Sequence, residues 1–249
     1  MKGSTRVTTF ALVATALVCT GCFRLARKSP PVERYVLGGV SIEAANTAGG
    51  AAATSSATSG AADPEPRGLS VGLRRLDLAP YLATLAIVVR RADNEVVTTE
   101  FHRWAEGPAT GLNRALSGYL VGAAVIRSVD VAPWPIRAAH DYLLQMHVTR
   151  LEGVVPSGGN VRTGEAHLLA HWKIIQPDDG ALVARGVTDY RSRDWRVDDY
   201  AALVSRFDRG LIKLSQDIVA CLQRLGPRTP PAAGVTEAPA PMECVSREP

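Results

Sequence analysis

The chain has 249 residues, of which 46% are hydrophobic, 21% charged and 6% aromatic, with a formal charge of +4 at pH 7. That is enough apolar material for one domain core, and four cysteines are too few and too scattered for a disulfide framework. Basic residues are interspersed with acids and no run of five like charges occurs, so the footprint of a nucleic-acid binder is missing.

At the start, Lys2 and Arg6 precede an apolar stretch from Phe10 to Val18, followed by Thr20-Gly21 and then Cys22. The stretch is shorter than the roughly 20 apolar residues a membrane span requires. Its charged beginning, apolar middle and small-residue end are those of an export signal. The position three before Cys22 is Cys19, where lipoprotein signals usually carry Leu. Cleavage before Cys22 is still favoured over cleavage before Cys19, because Gly21 is small and Val18 is not. We therefore expect residues 1–21 to be a lipoprotein signal peptide, Cys22 to carry acyl chains such as palmitate, and residues 22–31 to form anchor and tether. Removal of residues 1–21 takes away Lys2 and Arg6 and no acid, which lowers the charge from +4 to +2. Phe23 rather than Asp follows the cysteine. An Asp there favours inner-membrane retention, so the periplasmic face of the outer membrane is the expected location.

Glu33 to Leu37 is a strand candidate on its β-type residues. Residues 44–67 are almost entirely Ala, Gly, Ser and Thr and end in Pro-containing acid, a composition that buries nothing, so a disordered insertion is expected. Leu69 to Leu76 alternates Leu69, Val71 and Leu73 with polar or small partners. Leu85 to Arg91 and Glu95 to Thr99 flank Ala92-Asp93-Asn94 as a hairpin. A helix follows, with Thr110 as N-cap and Leu112, Ala115, Leu116, Tyr119, Leu120 and Ala123 on one stripe. Ser128 to Ala132 and Asp141 to Glu152 read as strands. Ala166, Leu168, Ala170, Trp172 and Ile174 then alternate against His167, Leu169, His171 and Lys173, up to a turn at Pro177 to Gly180. Leu182 to Arg193 returns antiparallel. From Asp198, the residues Tyr200, Leu203, Val204, Phe207, Leu211, Leu214, Ile218 and Leu222 recur at helical spacing until Gly226-Pro227 stops them. A helix of that length measures about 40 Å and must pack across a sheet. Gly226 to Pro249 is rich in Pro and Ala and reads as a disordered tail. The expected fold is one α+β domain over residues 32–225, a mostly antiparallel or mixed sheet packed against two helices, the long one C-terminal.

Chemistry-bearing residues are sparse. His167 and His171 lie four apart on a strand, about 13 Å, too far to share one metal ion, and are expected on a solvated face. No G-x-S-x-G, no H-E-x-x-H and no phosphate-binding glycine loop is present. We expect no cofactor, no metal and no catalytic residue. Cys221 falls within the long helix and Cys244 in the tail. A buried thiol plus a tail thiol is the default, with a bridge between them left to geometry. Trp104, beside His102, Arg103 and Glu106, is a candidate docking aromatic or a core residue, with Phe101 expected to pack under the first helix. Trp134, between Pro133 and Pro135, offers the same two readings as partner anchor or core plug.

Pro31 to Leu37, Pro80-Tyr81-Leu82 followed by Ile87 to Arg90, Glu100 to Glu106, Pro133-Trp134 and Asp199 to Val204 are colinear across most of the chain. In that order and spacing the sequence resembles the PqiC-like ABC-type transport auxiliary lipoproteins. It departs where Ala83-Thr84-Leu85 follows Pro80-Tyr81-Leu82, a place at which an Arg-Pro type pair is common, and in the length of the 44–67 insertion. The resemblance implies a periplasm-facing outer-membrane lipoprotein that works with an MCE-domain protein and its permease in moving lipid between the two membranes. MCE proteins form rings, so a symmetric homo-oligomer of this subunit, with Trp104 and Trp134 as contacts, is compatible with that role. Two other classes share the anchor: a structural or regulatory lipoprotein acting on another periplasmic machine such as cell-wall synthesis, and a lipoprotein hydrolase with a nucleophile assembled in space.

Overall fold

In a computed structural model of the protein, the structure describes residues 29–39, 68–92, 94–135, 138–158, 161–227 and 240–245. The signal segment, Cys22 and the 44–67 insertion lie outside them. From Glu33 onward the chain forms one compact unit. Its elements are β1 (Glu33–Tyr35), β2 (Leu69–Leu73), β3 (Asp77–Leu78), a 3-10 turn (Pro80–Leu82), β4 (Ala86–Arg91), β5 (Glu95–Trp104), α1 (Pro108–Val121), β6 (Ile126–Val131), β7 (Tyr142–Val155), β8 (Thr163–Ile175), β9 (Leu182–Arg196), α2 (Tyr200–Leu225) and β10 (Met242–Val245). The α+β class with two helices, the longer one last, is the expected one. No helix among the described residues is long and apolar enough to cross a membrane.

The sheet runs β1-β5-β4-β7-β8-β9-β10. Hairpins supply the antiparallel pairs β4–β5, β7–β8 and β8–β9, and the other pairings are parallel. One edge of β7 is shared out along its length: β2 takes Tyr142 to Leu144, β3 takes His147 and Val148, and β4 takes Gly153 to Val155. Three short strands thereby serve backbone groups along that edge while β8 pairs the other, as a buried strand requires. Because β2 lies between β6 and β7, all five of its residues are buried, where the sequence pattern pointed to alternation.

Both helices pack on one face of the sheet. The α2 stripe buries Leu203, Phe207, Leu211, Leu214 and Ile218, and Asp199 caps it by accepting from the Ala202 N–H at 3.0 Å. Gly226 closes it at φ +69°, a left-handed turn suited to glycine. Glycines on the covered face make room for indoles: Trp195, fully buried, lies over Gly153 and Gly164, and Trp172 over Gly186. A Cβ at any of the three would collide with a ring. The start of α1 corrects the sequence reading, because Gly107 is its N-cap and Pro108 its first residue, leaving Thr110 inside the helix. A proline at the first helical position has no N–H to lose.

The tail reading also needs correction over four residues. Met242 to Val245 form β10 on β9, and Cys244 is joined to Cys221 with a Cα–Cα distance of 5.8 Å. A four-residue strand without clear alternation carries too little sequence signal to stand out from a Pro-rich segment. The cross-link and the free edge of β9 hold it.

Candidate functional site: the open face of the sheet

Of the three residues singled out from sequence, Cys22 lies outside the described residues. Trp104 is only 5% exposed and tilts against Phe207, centroids 6.2 Å apart. It belongs to the core, and the docking role read for it is withdrawn: the register of β5 turns its side chain toward α2. Trp134 is half-buried and meets His140 edge-on at 5.1 Å, which leaves part of the indole available. Phe101 is half-buried. The structure does not bring Trp104 and Trp134 into one surface.

The face of β7, β8 and β9 away from the helices is built by register. Asp77, His147, His171 and Val187 stand in one row across β3, β7, β8 and β9. Gln145, Lys173, Arg185 and Glu243 form the next row, across β7, β8, β9 and β10. Cross-strand neighbours on one face are within about 5.5 Å of each other at Cβ, so the two rows form a contiguous polar patch. Between them runs a groove of about 360 Å³. Arg185 pairs with Glu243 at 2.5 Å, whereas Lys173 has no ion pair among the described residues. Sequence reasoning missed this patch. The pair of histidines that faces across the sheet is His147 and His171, which are 24 positions apart in sequence and meet only through the β7–β8 register.

Farther along the same face lies a band of ion pairs. Glu152 is 0% exposed and accepts from Arg90 Nε at 2.7 Å and Nη2 at 3.0 Å, from Arg150 at 2.9 Å and from the Tyr81 hydroxyl at 3.1 Å. The hydrogen bond to Glu152 raises the Arg90 pKa above the ordinary guanidinium value, while burial and Glu152 raise that of Tyr81. Next to it His167, directly opposite Glu152 in register, is 2% exposed and bonds Asp189 at 2.8 Å. The solvated-face reading of His167 is therefore corrected, and it holds for His171, which is exposed. Burial, with Arg191 adding to it, lowers the His167 pKa. Burial pushes Asp189 up, but Arg191 and His167 together outweigh it and hold the carboxylate below its usual range.

The strand that follows the predicted tether is fastened at its far end. The Gly38 and Gly39 N–H groups donate to Asp208 of α2 at 2.7 and 3.3 Å, and Arg114 of α1 donates to the Leu37 carbonyl at 2.9 Å. Burial raises the Asp208 pKa, and the glycine N–H groups only partly offset it. At the last residue of β1, Tyr35 lies 3.1 Å from His102, and the His102 ring stacks on Tyr200 at 4.1 Å. Pull on β1 is thus carried to both helices through named side-chain bonds.

Among the described residues no group of three or more His, Cys, Asp or Glu is arranged to hold a metal ion. The domain is thus one-sided, with helices covering one sheet face and an open groove lined by His147, His171, Lys173 and Arg185 on the other. The profile of the ABC-type transport auxiliary lipoprotein component family matches residues 51–219, and the chain belongs to that family. It is accordingly an auxiliary lipoprotein of a transport system. No curated protein matches the chain. Among solved structures, protein XCC0632 from Xanthomonas campestris shares the fold at TM-score 0.53 and 19% identity, over 63% of this chain and 86% of that one. A PelC dodecamer from Paraburkholderia phytofirmans gives TM-score 0.34 and 18% identity over 64% and 94%. A lipoprotein from Caulobacter crescentus gives 0.34 and 21% over 49% and 85%.

Proposed function

We propose that this protein is a non-enzymatic subunit of an MCE-type system for lipid transport between the two membranes of a Gram-negative envelope. Acylated Cys22 would hold it on the periplasmic face of the outer membrane. The single observation that carries this reading is the family match over residues 51–219, joined to the lipoprotein-type start of the chain. The Cys221–Cys244 disulfide supports export, since such bonds persist in oxidising compartments. The segment from Phe23 to Pro31 reaches about 30 Å even when extended, which suits a subunit working close to the bilayer. In this reading the groove between Lys173 and Arg185 is the docking face for the MCE protein, Trp134 is a second contact, and a symmetric assembly of the subunit presents several such faces to one ring.

Two experiments test it. In cells, Cys22→Ser is expected to abolish palmitate labelling and release the chain from the outer-membrane fraction; continued labelling of that variant overturns the anchor. Affinity purification of the tagged mature protein from envelopes is expected to recover an MCE protein and its permease, and Lys173→Glu to lose them. Recovery of cell-wall synthases without any MCE protein would transfer the chain to the second class of lipoprotein described above. Hydrolase activity abolished by a single Ser substitution would transfer it to the third.

A further inference from the structure

At one corner of the sheet the edge strand β1 carries positive charge on the uncovered side. The β1–β5 register pairs Tyr35 with Trp104 and Arg34 with Arg103. Successive side chains of a strand alternate between faces, and Trp104 points toward α2. Arg34 and Arg103 therefore both point away from the helices, side by side on strands about 4.8 Å apart. Both are exposed, and neither makes an ion pair or a side-chain hydrogen bond among the described residues. Glu33, the acid beside Arg34, is turned to Tyr35 and His102, and Glu106 beyond the end of β5 is held by Arg114. Like charges directly opposite one another on adjacent strands destabilise a sheet, and among the described residues nothing offsets this pair.

Apolar side chains adjoin the two arginines. Val36, directly after β1, is 50% exposed, and Leu85, directly before β4, is 45% exposed. The backbone brings them to the same corner: the Tyr35 carbonyl accepts from the Ala105 N–H at 2.8 Å and the Leu85 carbonyl from the Trp104 N–H at 2.7 Å. What this corner faces is indicated by the chain that leads to it. The segment from Cys22 to Pro31 carries Arg24, Arg27 and Lys28 and no acid. Phe23 to Arg34 reaches about 40 Å at full extension, so acyl chains on Cys22 keep the corner within reach of a bilayer surface. Cations beside an acyl anchor are drawn to anionic headgroups, each raising partitioning about fivefold.

We propose that the Arg34–Arg103 corner lies on an anionic phospholipid surface. The two guanidinium groups contact headgroup phosphates, Val36 and Leu85 enter the interface beside them, and the acyl chains on Cys22 hold the chain while the corner sets its orientation. In the order β1-β5-β4-β7-β8-β9, β8 and β9 then stand about 20 to 25 Å from the headgroups. The groove between Lys173 and Arg185 is thereby presented away from the bilayer, where a partner can reach it. The lipid source rests on the acylation of Cys22 proposed above, and not on which transport partner is bound.

A single introduced cysteine tests this orientation, because with residues 1–21 removed, Cys22 acylated and Cys221 bonded to Cys244 no other thiol is free. The full mature chain, carrying a nitrobenzoxadiazole label at Val36→Cys or, for comparison, at Val187→Cys on the groove, would be reconstituted into phosphatidylcholine vesicles with and without phosphatidylglycerol and floated. The label at position 36 is expected to shift to the blue and to be quenched by nitroxide-headgroup lipid in the phosphatidylglycerol vesicles only. Both effects should be lost in about 1 M salt, where the screening length is about 3 Å, and the label at position 187 should show neither. Arg34→Glu with Arg103→Glu keeps a like-charge pair and should abolish the shift while melting as the wild type does; lysine at both positions should retain it. A floated chain whose label at 36 behaves alike in the two vesicles, or ignores the glutamate substitutions, overturns the proposal, as does a blue shift at 187. A shift at 36 in detergent without lipid that grows with protein concentration assigns the corner to contact between copies and overturns it too. A chain that does not float overturns the acyl anchor and this orientation with it, an outcome distinct from a chain that floats without the shift.

Discussion

Single residues on the outer sheet face divide sharply by burial. Glu152 has two arginines and a tyrosine on a fully buried carboxylate, so removing it strands charge where water is scarce. Glu152→Ala is expected to lower stability by about 3 kcal/mol, measured by urea denaturation. Glu243→Ala breaks a pair whose members are both more than half exposed and should change stability by less than about 1 kcal/mol. His167 adds a pH dependence with a definite sign. Its pKa is lowered in the folded state, so the unfolded chain binds the proton first as pH falls. The stability this group contributes is present in full above the ordinary histidine value of about 6.5 and is lost as pH falls from there through the folded value. Melting curves between pH 8 and 5 should therefore slope downward toward acid in the wild type, and His167→Gln should flatten that slope. An unchanged slope in the variant would assign the acid sensitivity to another group.

At the scale of elements, α2 and β10 are bound together. Phe207 is fully buried against Trp104, and Phe207→Ala is expected to cost about 3 to 5 kcal/mol. The C-terminal strand is secured by a cross-link spanning 23 residues, which by loop closure contributes about 3 kcal/mol. Cys244→Ser, or reduction of the wild type, should show that loss in chemical denaturation, and truncation after Leu225 should show at least as much. A truncation that melts like the full chain would mean that β10 contributes nothing. Gly186 ties the same region to the core, since a Cβ there meets both Trp172 and the Cys244 carbonyl. Gly186→Val should therefore overpack the site and loosen β10, visible as faster reduction of the Cys221–Cys244 disulfide by added dithiothreitol.

For the molecule as a whole, local chemistry determined most of the elements. The 3.6-residue period of α2, the capping Asp199, the stop at Gly226 and the β7–β8–β9 meander are all carried by side-chain spacing along a continuous stretch, which is what a sequence displays. The anchor reading of Cys22 and the family resemblance also came from linear pattern. Tertiary structure alone decided what depends on pairing between distant strands. It determined which indoles are core, because burial of Trp104 follows from the register of β5 beneath α2. It placed His147 beside His171 and Glu152 beside His167, because the partner on an adjacent strand is set by hairpin register and by the parallel crossovers on β7. It recruited Met242 to Val245, because a free strand edge and a cysteine already buried in α2 supply an energy that four residues of weak β propensity do not announce. It also left Asn113 Oδ1 without a partner, since satisfaction of a buried polar group is a property of its surroundings and not of its position in the chain.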